Sequence, residues 1–152
     1  ALKIAKKTKG KKVLEIGSGK KVKGAYPYSY ADFFQKDNEV VMSDIDPSFG
    51  HKIVDIRTMR IKEEYDVILC LNVLEHVYEF QLAIENLQRA MKRGGMLVVL
   101  VPYIYPLHDE PGDFFRFSEH ALRKMFKGFK DVKIKQFGLR QFPSGYSVIA
   151  RK

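Results

Sequence analysis

The chain contains a single cysteine, Cys70, which excludes an intrachain disulfide and any zinc site built on a cysteine cluster. No metal site is expected. Long hydrophobic runs are also missing. The longest, Val67–Leu71 and Met96–Val101, are far too short to span a bilayer and fit buried strands. The lysine-rich opening has no apolar stretch of the signal-peptide kind, so a reducing, cytoplasmic setting is expected. No internal repeat, low-complexity tract or composition break marks a second domain, and 152 residues suit one. Two glycine patterns are absent as well. A dinucleotide fingerprint needs a glycine at the position of Val22. A P-loop needs Gly-Lys-Ser/Thr after a four-residue gap.

Positive charge is present, but it is local. The formal net charge is +9, and residues 1–24 hold nine lysines against one acid, Glu15. The remaining 128 residues are nearly balanced. Such a cluster can hold nucleic acid or another anionic surface. It can equally be a solvated, partly frayed leader over residues 1–11, beside a lysine-rich turn. The globular domain is expected over residues 12–152.

The spacing of apolar residues predicts alternating strands and helices. Strands are expected at Lys12–Ile16, Glu39–Ser43, Lys52–Val54, Asp66–Leu71 and Met96–Val101, the last stopped by Pro102. A short helix is expected over Tyr28–Lys36. A longer one is expected over Glu79–Arg93, with Phe80, Ala83, Ile84, Leu87, Ala90 and Met91 on one face and Gly94-Gly95 at its exit. Only a remnant of a helix is expected at Thr58–Glu64. Residues 102–117 form a long connection rich in proline and aromatics. Ser118 then caps a helix over Glu119–Lys127, ended by Gly128, and Lys130–Phe137 pairs with Tyr146–Arg151. This alternation implies an α/β domain, with helices on both faces of a mostly parallel sheet and ligands at the carboxyl ends of the strands.

Every informative motif falls at such an end. Glu15-Ile16-Gly17-Ser18-Gly19 ends the first strand, where glycines let a ligand approach the backbone. Asp44 ends the second strand, followed by Asp46. A carboxylate there can accept hydrogen bonds from both hydroxyls of a ribose. Asp55 ends the third and can accept from the exocyclic amine of an adenine. The 102–117 connection concentrates side chains suited to general-base work and substrate orientation: His108, Asp109, Asp113 and Arg116; equally, His108 and Asp113 can serve to order the loop, with Arg116 a structural ion-pair partner of Asp113. His76 follows the fourth strand and joins them. His51 and His120 are expected at the surface. A Cys70–His76 nucleophile pair is disfavoured, because a cysteine inside an apolar strand lacks a stabilised thiolate.

Taken in order, Val13 to Gly19, Ser43-Asp44-Ile45-Asp46-Pro47, Tyr65 to Cys70 and Asn72-Val73-Leu74-Glu75-His76-Val77 resemble the class I S-adenosylmethionine-dependent methyltransferases. The resemblance covers roughly residues 12–151. It implies a Rossmann-like sheet of about seven mostly parallel strands with the last antiparallel. It places Gly17 to Gly19 under the methionine end of S-adenosylmethionine, Asp44 on the ribose and Ile45 on the adenine. Asp55 and Ile56 would border the adenine, and Asn72 would lie near the methionine moiety. The chain departs from the family where a further glycine is usual, having Lys21 there. The 108–118 connection is similar to one in small bacterial and archaeal members that act on glycans, lipids or small metabolites. The implied activity is in-line methyl transfer to such an acceptor, with His108 and Asp113 as catalytic candidates and His76, Asp109 and Arg116 on the substrate side. The alternatives are an RNA methyltransferase that uses the lysine cluster, or a non-catalytic relative serving as a binding or scaffold protein.

Overall fold

Strands of alternating register build the centre, because each apolar run must satisfy packing on two faces at once. The structure, a computed structural model, describes residues 2–20 and 29–152. Its strands are β1 (Lys12–Ile16), β2 (Glu39–Asp44), β3 (Lys52–Ile53), β4 (Tyr65–Leu71), β5 (Met91–Pro102), β6 (Lys130–Gly138) and β7 (Pro143–Arg151). They form one sheet in the order β3-β2-β1-β4-β5-β7-β6. The first five run parallel, and β7 lies antiparallel between β5 and β6. This is the Rossmann-like sheet expected from the sequence.

Neighbouring residues along a strand serve opposite faces. Leu14, Ile68, Leu97 and Val99 join the larger core, covered by α2 (Phe80–Ala90) and α3 (Glu119–Met125). Ala83, Ile84 and Leu87 of α2 and Leu122 of α3 supply that cover. Val13, Val67, Leu69 and Val98 form a smaller core on the other face, against Ile4, Tyr30 and Phe34. Ile4 belongs to a short helix, α1 (Leu2–Lys7), and Ala5 beside it is buried. Residues 2–8 are therefore packed on the sheet rather than frayed.

Three elements differ from expectation. The Tyr28–Lys36 helix is a single 3-10 turn over Tyr30–Phe33; Tyr28, like Lys21, Val22 and Lys23, lies outside the described residues. The long helix stops at Ala90, three residues early. Met91 is fully buried and pairs in extended conformation with Tyr65, so the sheet takes over from the helix. The crossing from β3 to β4 contains no helix, only a turn in which Thr58 and Met59 N–H groups donate to the Asp55 carbonyl. Its backbone is fastened from α2. The buried Asn86 amide donates to the Ile56 and Arg57 carbonyls at 2.8 and 2.9 Å, and Arg89 donates to the Met59 carbonyl and to Asn86.

Gly94-Gly95 sits in the sheet rather than at a helix exit. Pairing jumps from Tyr65–Met91 to Val67–Met96, so residues 92–95 bulge out of β5. A Cβ on Gly95 would lie 2.8 Å from the Lys92 carbonyl oxygen and 3.2 Å from that of Asp66. Both are backbone atoms that cannot swing aside. Gly95→Ala should cost about 1–3 kcal/mol, the usual range for overpacking. Gly128, with open space around it, is the control. A lower urea midpoint for Gly95→Ala, with Gly128→Ala at or slightly above the parent, is the expected result. Equal midpoints for the two variants would contradict the bulge packing.

Candidate active site

The carboxyl ends of β1, β2, β4 and β5 meet at one edge, and two cavities open there. The smaller, about 200 Å³, is walled by Ile16, Gly17, Asp44, Ile45, Val54, Asp55, Ile56, Arg57, Val73, His76 and Val77. The larger, about 420 Å³, is walled by Asn72, Glu75, His76, Tyr105, His108, Asp109 and the Leu100–Pro102 end of β5 with Ser144-Gly145 of β7. His76 belongs to both.

The turn after β1 is held by a buried polar network. Glu15 accepts from the hydroxyls of Ser18 and Ser29 and from the Tyr30 N–H, so its carboxylate is turned to its own chain. Ser43 donates its hydroxyl to the Glu15 carbonyl at 2.7 Å and its N–H to the Ser18 hydroxyl. Gly17 has φ +69, and a Cβ there would come within 2.5 Å of a Val73 methyl. Only glycine satisfies both the left-handed backbone and that close approach. The Gly19 N–H donates to Asp44 at 2.9 Å, and its carbonyl meets His51 Nε2 at the same distance. His51 thus supports the turn, a role that no sequence signal indicated.

Asp44 is buried at the last position of β2 and keeps one oxygen toward the Asp46 N–H. Asp46 caps the next turn through the Ser48 N–H. Ile45 is exposed and forms a flat apolar wall. Asp55 is already engaged: Arg57 donates to both of its oxygens, 2.7 Å at the shortest, and holds its carboxyl below the usual range. That pairing takes up the carboxylate expected to face an adenine amine. Asn72 adopts φ +53 as it leaves β4, a conformation asparagine tolerates. Its N–H donates to the Leu100 carbonyl, and the residue lines the larger cavity.

The 102–117 connection is anchored at several points. The N–H groups of Phe114 and Phe115 donate to the Glu75 carbonyl, and His76 Nδ1 lies 3.0 Å from the Gly112 carbonyl. Phe115 and Phe117 pack with Phe80 on the core, with ring centroids 5.1 Å from it. Asp113, whose side chain is buried, takes two hydrogen bonds from Arg116, at 2.6 and 2.7 Å. The Arg116 guanidinium holds the Asp113 carboxyl well below the usual carboxylate range. It also donates to the Pro106 and Phe115 carbonyls. Asp113 is thus a poor proton acceptor and Arg116 is committed to the loop, which favours the structural ion pair over the catalytic and substrate-side roles expected as its alternative. His108 Nδ1 hydrogen-bonds the Pro106 carbonyl at 3.2 Å, the Asp113 carboxylate lies at the same distance and takes the His108 backbone N–H, and Nε2 has no hydrogen-bond partner among the described residues. The His76 and His108 rings meet edge to face, 4.8 Å apart.

Glu75 stands in the Asn72–Val77 run, and sequence reasoning assigns it no role. Its side chain is fully buried against the larger cavity, and burial pushes its carboxyl up. Neither oxygen has a hydrogen-bond partner among the described residues. Cys70 is buried too, and its thiol is pushed far up, consistent with inert packing.

The lysines lie elsewhere. Lys7, Lys9 and Lys11 share a groove with Arg93 and Arg151 at the amino ends of β1 and β5, the edge opposite both cavities. Asp66 offsets part of this charge, pairing with Lys92 at 2.8 Å. Of the described residues in the cluster, Lys20 alone follows the glycine turn.

Comparison with known proteins adds the family. The model of a methyltransferase domain matches residues 2–132. No curated protein matches the chain. Among solved structures, the fold is shared with a SAM-dependent methyltransferase from Archaeoglobus fulgidus, at TM-score 0.73 and 16% identity, covering 99% of this chain and 89% of that one. It is also shared with the Burkholderia thailandensis 1,6-didemethyltoxoflavin-N1-methyltransferase, whose structure contains its substrate and S-adenosylhomocysteine. That match has TM-score 0.67 and 17% identity over 95% of this chain and 72% of that one. The CurJ carbon methyltransferase matches at TM-score 0.70 and 16% identity over 95% of this chain, which spans only 49% of that longer one. The architecture is that of a class I methyltransferase, as the sequence resemblance implied. The chain belongs to the methyltransferase-domain family.

The Arg116–Asp113 pair gives a pH test. Its stabilisation is full above the ordinary aspartate value of 3.8 and is lost as pH falls below that toward the depressed folded value. Arg116→Ala should therefore melt lower than the parent at pH 5–8. The gap should narrow as the pH is taken below 3.8. A gap that stays constant into acid would show that Arg116 stabilises by packing alone.

Proposed function

We propose that the protein moves a methyl group from S-adenosylmethionine to a small-molecule acceptor, including glycan or lipid headgroups, seated in the larger cavity. The observation that carries this reading is the shared wall. His76 borders both cavities, so they adjoin there, and the methionine end of a donor seated in the smaller one meets an acceptor in the larger one directly. Apolar Ile45, Ile56 and Val73 suit an adenine, and Asp44 retains acceptor capacity for ribose hydroxyls. Gly17 lines the smaller cavity, and Gly19, with open space where a Cβ would stand, leaves room for the methionine end to pass toward Asn72. No described helix is long and apolar enough to cross a membrane. A reducing cytoplasmic setting suits the free thiol of Cys70.

The donor's sulfonium supplies a methyl group that is already activated. The chain's task is alignment, which is where proximity catalysis gains most. Tyr105 and the Leu100–Pro102 segment position the acceptor, and the walls exclude water. The new bond forms between the methyl carbon and the acceptor heteroatom as the sulfur–methyl bond breaks. The acceptor's proton leaves to the free Nε2 of His108 or to His76. Asp113 acts by holding His108, not by taking the proton. The RNA reading is weaker, because Lys7, Lys9 and Lys11 sit on the opposite edge from both cavities.

Calorimetry with S-adenosylhomocysteine tests the donor site. Asp44→Ala should weaken binding by roughly 2–4 kcal/mol, as loss of charge-assisted hydrogen bonds in a dry site does. Greater damage from Asp46→Ala would place the ribose elsewhere. His108→Ala should lower turnover in a metabolite-pool methylation screen, with S-adenosylhomocysteine affinity and Tm near those of the parent. Unchanged turnover per folded molecule would remove His108 from the chemistry.

A further inference from the structure

We propose that Glu75, His76 and His108 bind a divalent transition-metal cation at the inner end of the larger cavity. The starting point is the isolated carboxylate. Glu75 is fully buried, lines the cavity and has both oxygens without a hydrogen-bond partner among the described residues. A buried polar group is normally paired or coordinates a metal. The backbone around it is well satisfied, with two N–H groups donating to the Glu75 carbonyl. The side chain alone is left open.

Two imidazoles face it. One donor atom from each of the three residues lies within 4.8 Å of the others, and His76 Nε2 is 4.0 Å from Glu75 Oε1. Metal–donor bonds of about 2.0–2.2 Å place donors roughly 3.3–3.5 Å apart around a tetrahedral ion. The side chains therefore need to close by about an ångström, within rotamer adjustment. The far side of each ring is already set. His76 Nδ1 sits 3.0 Å from the Gly112 carbonyl, and His108 Nδ1 sits 3.2 Å from the Pro106 carbonyl, with the Asp113 carboxylate at the same distance. When these nitrogens carry the proton, each Nε2 keeps a lone pair for a metal ion, and that of His76 already lies beside Glu75. An outer partner of this kind fixes the tautomer and ring orientation of metal-bound histidines. The Arg116 guanidinium hydrogen-bonds Asp113 and donates to neither Glu75 oxygen.

Two imidazoles with one carboxylate suit zinc and its first-row neighbours rather than magnesium or calcium, which prefer all-oxygen sets. Three protein donors leave a coordination position open toward the cavity, where water or an acceptor oxygen fits. The cation would then lower the pKa of that oxygen, and the histidines would serve as ligands instead of proton acceptors. The inference deepens the acceptor site of the proposed function, but metal binding itself does not depend on methyl transfer.

The test uses the full chain, stripped with EDTA, dialysed and titrated with zinc chloride by calorimetry. Cobalt(II) absorption provides a second readout of coordination. One equivalent of zinc is expected, with intense visible cobalt bands of a four- or five-coordinate site. Glu75→Gln and His108→Ala should each weaken zinc binding at least tenfold and bleach the cobalt bands. His120→Ala, on an exposed residue, should change neither. Circular dichroism checks folding; if Glu75→Gln misfolds, His108→Ala decides. Absence of saturable zinc binding overturns the proposal, as does binding that folded His108→Ala leaves intact. An S-adenosylhomocysteine titration of the same sample separates the two readings. Its binding without zinc binding removes only the metal site, and the converse removes only the methyl-transfer reading.

Discussion

The β1–β4 ladder is the constraint on which the rest depends. These central strands run parallel, side by side, and are covered on both faces, so neither can turn back on itself within the sheet. Each must leave at the same edge and return by a crossover. The turn after β1 and the turn after β4 are thereby forced together, to the point that a Val73 methyl occupies the space beside Gly17. The two cavities flank that meeting point.

Around it, polar side chains hold loops more than they face ligands. Glu15 ties Ser18 to the Tyr30 turn, Asp113 ties Arg116 to His108, and Asn86 ties the helix-free crossing to α2. Each replaces a missing secondary-structure element with side-chain-to-backbone hydrogen bonds. A chain with so few helices can keep its site edge ordered in this way. Glu75 is the exception: its side chain is equally buried but has no hydrogen-bond partner among the described residues.

How much of this was legible in the sequence follows from what apolar patterning reports. Strands β1, β2 and β4 read clearly because Val, Ile and Leu must be inside whichever face they serve. The end of α2 did not, since Met91 has equal apolar value on a helix or in a sheet, and only pairing with Tyr65 decides. The same limit applies to the site. Residue type and position brought Asp44, His76 and His108 to the right edge. They left the Asp113–Arg116 ion pair as one of two readings and gave no sign that Asp55 is bonded to Arg57, because an ion pair depends on side-chain direction. Glu75 carried one overlooked signal, an acid between apolar Leu74 and Val77, which form part of the core.

One short turn, residues 73–77, borders both cavities: Val73, His76 and Val77 line the smaller, and Glu75 and His76 the larger. A shared border this short makes the two compartments thermodynamic neighbours. If a ligand on one side shifts the turn, it changes the shape presented to the other side. Linkage then requires the influence to be mutual and equal in free energy. Whichever ligand arrives first, the affinity of the second would change by the same factor.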